Sequence, residues 1–323
     1  MSSFEETVEV VAAVIQNASG QILIARRPEH VHQGGLWEYP GGKVEPGETA
    51  EQALQRELWE ELGIRPSRYR RLIRIPHHYP DRSVLLDVWQ VEAFEGEPVG
   101  RQGQPLQWVQ PQALLDYSFP AANQPITSAA RLPAQYLITP DCHHRDEFLA
   151  ALETALAQGA RLVQLRTPSL PVAEFEKLAQ TVIQRCHAQG AAVLLNSTPE
   201  AALRLGADGV HLNSHRLQTL QERPLPRQFW CAASCHNLAQ LRQAQEIGVD
   251  FAVLSPLQAT ASHPQAVPLG WTRFQELVWD LPLPVYALGG LSKSDLPRAQ
   301  AARAQGVAGI RAFWPSTRAA SNE

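Results

Sequence analysis

Beyond Pro133, short apolar runs alternate with helical stretches eight times over. The apolar runs fall at 136–139, 162–166, 192–196, 209–212, 229–234, 251–255, 285–289 and 307–312. Between them lie stretches of helical character at 145–158, 172–189, 199–205, 237–247 and 272–279, with shorter pieces elsewhere. Runs of four to six apolar residues bounded by turn formers read as strands buried on both faces. Strands that alternate with helices build a parallel sheet, and eight such units predict a closed (β/α)8 TIM barrel. An open doubly wound sheet is the other arrangement this pattern allows. In either case, chemistry gathers at the carboxyl ends of the strands.

The first 132 residues follow a different rhythm. Strands are expected at 8–15 and 21–25 around a turn at 17–20, and again at 70–75, 84–91 and 106–109. A long acidic helix is expected at 49–62, with helical pieces at 111–115 and 124–131. This is an α+β unit with a mixed sheet between helices. The two units divide at 131–133, giving domains 1–132 and 133–323.

Charge and composition narrow the partners. The formal net charge is −4, so the whole chain has no bulk attraction for nucleic acid or anionic lipid. No apolar run approaches the ~20 residues that span a bilayer, and the first nine residues are acidic. Only three of the 28 basic residues are lysines, so anion contacts fall mostly to arginine forks. Cys142, Cys186, Cys231 and Cys235 form no C-x-x-C pair, which predicts reduced thiols in a cytoplasmic protein.

The chemistry concentrates between Gly42 and Ile64. Gly42, Glu48, Arg56, Glu57, Glu60, Glu61, Gly63 and Ile64 fit G-x5-E-x7-R-E-U-x-E-E-x-G-U, with U aliphatic, at every defined position. On a helix, Glu57, Glu60 and Glu61 stand at i, i+3 and i+4 and share one face. Carboxylates so crowded need cations, and hard oxygen donors suit Mg²⁺ or Mn²⁺. Gly41 and Gly42 predict a tight loop whose backbone carbonyl approaches the metal, and Arg56 is placed to orient a neighbouring carboxylate.

This pattern identifies residues 1–132 as resembling the Nudix hydrolases. The likeness to the MutT branch, which acts on oxidised guanine nucleotides, extends further. It runs through Arg26 and Arg27, the segment from Gly34 to Gly42, the turn from Tyr79 to Arg82, and the stretches 95–105 and 119–125. The resemblance implies that Glu57, Glu60 and Arg56 serve catalysis and that Gly41, Glu57, Glu60 and Glu61 hold Mg²⁺. It implies a nucleotide pocket lined by Arg27, His32, Glu38, Tyr39, Pro40, Gly41 and Arg82, with Asn123 reading the oxidised purine. An asparagine amide offers both a donor and an acceptor to a purine edge. As residues alone, Asn123 also suits a cap on the helix beginning at Pro125, Arg82 a hairpin turn, and Arg27 and His32 an ordinary surface. Gln102 departs from the branch, which often carries an acidic residue there.

The second unit resembles the thiamine phosphate synthase and TenI superfamily from about Tyr136 to Trp314. Gln164, Arg166, Asn196, His211, Ser234, His236, Ser255, Gly289 and Gly290 carry the likeness, all near strand ends. The resemblance implies a phosphate or ligand site at Arg166, Asn196, His236, Gly289 and Gly290. His236 matches a histidine important in the TenI branch, although a lone strand-end histidine is often structural. The departures are severe. Ser197 and Arg216 stand where synthases carry Mg²⁺-binding aspartates, and Pro168 and His263 stand where they carry lysines.

The expectation is therefore a Mg²⁺-dependent Nudix pyrophosphohydrolase that converts 8-oxo-dGTP to 8-oxo-dGMP, fused to a barrel without synthase activity that binds a phosphorylated ligand. Its partner is a small nucleotide; neither membrane nor direct nucleic-acid binding is expected. Two alternatives stay open: hydrolysis of a thiamine-pathway or other damaged diphosphate, and a ligand-binding regulator with residual hydrolysis.

Overall fold

The computed structural model describes residues 7–30, 33–79, 82–259 and 267–315, with the side chain of Arg82 left undescribed. It divides into two compact units, Met1–Arg131 with Trp279–Pro284, and Leu132–Val278 with Val285–Glu323.

In the first unit, β1 (Val8–Gln16) runs parallel to β5 (Arg82–Glu95) and antiparallel to β2 (Ile22–Arg26). The sheet continues through β3 (Trp37–Glu38) and β6 (Leu106–Val109) on β2, and β4 (Arg65–Tyr79) on β5. Alternation along β1 sends Val11, Ala13 and Ile15 to one face and Ala12 and Val14 to the other. The first set packs on Leu54, Leu58 and Leu62 of α1 (Ala50–Leu62). The second packs with Ile126 and Ala129 of α2 (Gln124–Arg131). The helix α1 begins at a capping box between Thr49 and Gln52 and ends at Gly63, whose φ of 72° is left-handed. Strands β4 and β5 extend beyond the predicted runs. Arg68 and Glu92, both outside the predicted runs, form a charged cross-strand pair that an apolar pattern does not register.

The second unit is a closed eight-stranded parallel barrel. Its strands are β7 (Gln135–Ile138), β8 (Leu162–Leu165), β9 (Ala192–Leu195), β10 (Gly209–Leu212), β11 (Trp230–Cys235), β12 (Phe251–Leu254), β13 (Val285–Leu288) and β14 (Gly306–Gly309). Each strand pairs with its sequence neighbour and β14 returns to β7, so closure rather than an open sheet is what the alternation encodes. The outer helices are α3 (Arg145–Ala157), α4 (Val172–Ala188), α5 (Pro199–Leu205), α6 (Ser214–Thr219), α7 (Leu238–Glu246), α8 (Gly270–Val278) and α9 (Leu296–Ala301). Tyr136, Phe251, Tyr286 and Leu194 fill the interior, so the barrel is a packed core open only at its mouth. The last strand stops at Gly309, short of the predicted run, where Phe313 and Trp314 donate backbone hydrogen bonds to Ile310.

Candidate functional site

In the first unit, the chain before α1 lies along β1, with Ala13 N–H donating to Pro40 O (2.8 Å) and Val11 N–H to Gly42 O (2.9 Å). Gly41 lies between these two bonds at a φ of 150°, and a Cβ there would stand 2.1 Å from Val11 O. A Cβ on Gly42 would stand 2.2 Å from the Glu57 carboxylate. Both glycines are therefore required by close approach, and the second makes room for Glu57.

Arg56 organises the acidic face. Its guanidinium donates to both oxygens of Glu48 (2.6 and 3.2 Å), to Glu57 (2.8 Å), to Glu60 (3.3 Å) and to Lys43 O (2.9 Å). The hydrogen bond from Arg56 holds the Glu48 carboxyl below the usual carboxylate range. Glu57 is mostly covered, whereas the Glu60 side chain is 53% exposed at the solvent edge. Glu61 accepts from Gly41 N–H at 3.2 Å. Its carboxyl is pushed up to about 7, by burial first and then by the nearby charges of Glu38 and Glu57. Such a group is short of positive charge.

Among the described residues, no three His, Cys, Asp or Glu side chains close into a metal-binding group. The donor set nevertheless fits a hard divalent cation. It is all oxygen, and burial with mutual repulsion raises the proton affinity of Glu61, which a cation would relieve. Gln102 is exposed, in a loop tied to the end of α1 by Arg101 N–H to Glu61 O (2.9 Å) and by Gln104 Nε2 to Glu61 O (3.1 Å).

The expected pocket residues are partly assembled. Arg27 pairs with Glu38, whose own carboxyl is raised by burial against the pull of Arg27. Tyr39 is buried, stacks on Phe119 at 5.2 Å and shares a hydrogen bond with Thr127 Oγ1 (3.0 Å). Pro40 is buried beside it. Asn123 ends the turn Ala121–Asn123 before α2; it is half-buried, and its amide makes no hydrogen bond among the described residues. Its backbone carbonyl accepts from Thr127 Oγ1 at 3.3 Å. His32 and the Arg82 side chain lie outside the described residues. The stack of Tyr39 on Phe119 was not expected as a contact, because nothing in the sequence joins positions 80 residues apart.

In the second unit, a cavity of about 770 Å³ opens at the carboxyl ends of the strands. Arg166, Asn196, His236, Gly289 and Gly290 all line it. Gly289 has a φ of 115°, and a Cβ there would come 2.8 Å from Leu257 N. A polar chain descends from the mouth into the core. Asn196 Nδ2 donates to Gln164 Oε1 (3.3 Å), Gln164 Nε2 to Tyr136 Oη (3.3 Å), and Tyr136 Oη meets His211 Nδ1 (3.0 Å). The other ring nitrogen of His211 meets Ser234 Oγ at 2.8 Å, back at the cavity wall. His211 is fully buried, and its pKa falls to about 3 through burial and then the charge of Arg166. His236 Nδ1 donates to Ser255 O (2.8 Å), which fixes Nε2 as the free nitrogen when the ring is neutral. The thiols of Cys231 and Cys235, on β11, are buried and raised to about 12, so they are structural.

The first unit thus presents a carboxylate-bearing helix on a mixed sheet, and the second a parallel barrel with arginines at its mouth. Family models match both: the NUDIX domain over residues 11–129, and the thiamine monophosphate synthase family over residues 135–313. The chain belongs to the thiamine monophosphate synthase family through its barrel and carries a MutT-like Nudix domain at its N-terminal side. An Escherichia coli 8-oxo-dGTP diphosphatase is 41% identical over 119 residues, 37% of this chain and 92% of that protein. An E. coli CTP pyrophosphohydrolase is 41% identical over 122 residues, 38% of this chain and 90% of that protein. An Aquifex aeolicus protein, provisionally named thiamine-phosphate synthase 2, is 36% identical over 182 residues, 56% of this chain and 98% of that protein.

Proposed function

We propose that the first unit is a Mg²⁺-dependent pyrophosphohydrolase that prefers 8-oxo-dGTP and releases 8-oxo-dGMP and pyrophosphate, removing a mutagenic precursor from the nucleotide pool. The observation that carries the reading is the assembly of Glu57 and Glu61 against the Gly41–Gly42 loop, with Arg56 bracing Glu48, Glu57 and Glu60. Glu57, Glu60, Glu61 and the Gly41 carbonyl would hold the cation. When bound, it neutralises the triphosphate and acidifies water. The protein itself fixes the carboxylates through Arg56 and the Gly41 N–H, so little reorganisation is needed as charge develops. Glu57, mostly covered and held at one oxygen by Arg56, is placed to orient the attacking water.

For the base, the stacked pair Tyr39–Phe119 offers a rigid apolar wall, and the uncommitted Asn123 amide offers a donor and an acceptor. A pyrimidine triphosphate is the second reading, favoured by equal identity to the CTP pyrophosphohydrolase. The test is a kcat/KM panel of 8-oxo-dGTP, dGTP, CTP and thiamine diphosphate with Mg²⁺, alongside Glu57→Gln. The highest value for 8-oxo-dGTP sustains the proposal; the highest for CTP or thiamine diphosphate replaces it.

For the barrel, the reading is binding of a phosphorylated ligand without thiamine phosphate synthesis. Expulsion of pyrophosphate normally draws on metal-ligating carboxylates, and the residues in their places are Ser197 and Arg216.

A further inference from the structure

The barrel mouth contains three arginines, Arg166, Arg216 and Arg311, and one histidine, His236; among the described residues no aspartate or glutamate lines it. A pocket with this charge cannot assemble a Mg²⁺ site, because hard divalent cations require oxygen donors and are repelled by guanidinium groups. Arg216 Nη1 is buried and makes no hydrogen bond among the described residues. Thr167 Oγ1, on the same cavity wall, is likewise buried and without a partner among the described residues. Neither Arg166 nor Arg311 pairs with a carboxylate among the described residues. Buried donors without acceptors are costly, and both of these residues line the cavity. Around them the wall is partly apolar, with Ile138, Leu170, Phe175, Leu291 and Ile310.

We propose that the barrel mouth is a metal-independent site for a phosphate or diphosphate anion, in which the Arg216 guanidinium supplies the positive charge that a bound cation would otherwise bring. This rests on the reading that the barrel binds a phosphorylated ligand, and it specifies how. Arg216 forks onto two anionic oxygens through Nη1 and its neighbouring nitrogens. Thr167 donates its hydroxyl, and Arg166 and Arg311 add charge from the rim. The apolar wall takes the organic body of the ligand when there is one. A free anion and the diphosphate end of a larger molecule share this chemistry.

Binding of inorganic pyrophosphate to the full chain, measured by calorimetry in EDTA, tests the proposal. The chelator removes the cation that the Nudix carboxylates need, so the first unit contributes nothing. Saturable binding is expected, weakened about tenfold or more by Arg216→Gln and unaffected by Arg273→Gln, an exposed arginine on α8 paired with Glu276. Ser197→Asp, which leaves Arg216 in place and adds a carboxylate to the wall, should also weaken it about tenfold, so the result does not depend on the folding of one variant. Thiamine diphosphate in a second arm separates the sources: tighter binding than pyrophosphate assigns an organic diphosphate, equal binding the free anion. If binding survives Arg216→Gln and Ser197→Asp but fails in Arg166→Gln, the barrel still holds phosphate and the role given to Arg216 is overturned. If no phosphate compound binds with or without Mg²⁺ in a Glu57→Gln background, the underlying reading falls too.

Discussion

Glu57 and Glu61 illustrate how one helix turn yields different carboxylates. Glu57 is held by Arg56 at 2.8 Å, whereas Glu61 faces Glu38 and Glu57, with the Gly41 N–H and then the charge of Arg27 in partial compensation. Loss of either charge should lower kcat for triphosphate hydrolysis at least ~10²-fold while leaving the circular dichroism unchanged. Steady-state rates of Glu57→Gln and Glu61→Gln check this, and more than half the activity in both would place the cation elsewhere. Asn123 makes a separate prediction. Its amide makes no hydrogen bond among the described residues, so Asn123→Ala should leave stability nearly unchanged. It should lower the ratio of kcat/KM for 8-oxo-dGTP over dGTP by about 5- to 150-fold, the equivalent of ~1–3 kcal/mol. A ratio equal to that of the native protein would remove Asn123 from base recognition.

At the scale of elements, the Pro40–Gly42 segment and α1 act as one device. The segment is fastened to β1 by two backbone bonds, and α1 is fastened to the same strand by apolar packing, so the loop and the carboxylates share a reference frame. Gly42→Ala should push the Glu57 carboxylate aside, since the added methyl would otherwise lie 2.2 Å from it. A displacement of about 1 Å at such a site costs on the order of 10²-fold in kcat. Gly47→Ala is the contrast. Nothing lies within 4 Å of its Cβ position, but φ is 87°, so it should cost about 1 kcal/mol of stability and leave kcat intact. Equal kcat losses in the two variants would show a general loop effect rather than a local clash. The sequence predicted the existence of these elements well, and their ends less well. The helix expected at 49–62 is the observed Ala50–Leu62, whose ends are set by the local capping of Thr49 and Gly63. The lengths of β4 and β5 were hidden because their outer residues mix charged, polar and proline positions with no apolar alternation, and they pair only across the strands.

Over the whole molecule, the chain divides into two compact units, and among the described residues no helix is long and apolar enough to cross a membrane. The barrel's buried histidine gives its stability a pH signature. His211 has a pKa of about 3 in the folded chain against 6.5 when unfolded, with Tyr136 and Ser234 on its ring nitrogens and Arg166 as the nearby charge. The unfolded chain takes up a proton first, so this contribution is complete above pH 6.5 and is lost as pH falls toward 3. The slope approaches about 1.4 kcal/mol per pH unit. Urea unfolding at pH 7 and pH 5 should show a smaller drop in His211→Gln than in the native protein; equal drops would refute the assignment. The barrel also lacks the carboxylates of a metal-dependent synthase, so the full chain should form no thiamine phosphate from a thiazole phosphate and a pyrimidine diphosphate with Mg²⁺. Turnover that depends on Mg²⁺ would reverse that reading.

The sequence by itself determined the α+β character of the first unit, the strand–helix alternation of the second and the carboxylate motif of α1. Strand–helix alternation and the spacing of Gly42, Arg56, Glu57, Glu60 and Glu61 are local periodicities, and a linear chain displays them directly. It also marked Ser197 and Arg216 as replacements for acidic residues. Only the tertiary structure closed the sheet, by pairing β14 with β7, and set Tyr39 against Phe119. It alone divided the carboxylates between Arg56 and the Gly41 loop, and brought Arg166, Arg216 and Arg311 to one cavity from positions 145 residues apart in the chain. Burial and electrostatic coupling depend on distance in space, and the order of residues along the chain does not specify that distance until packing has fixed it.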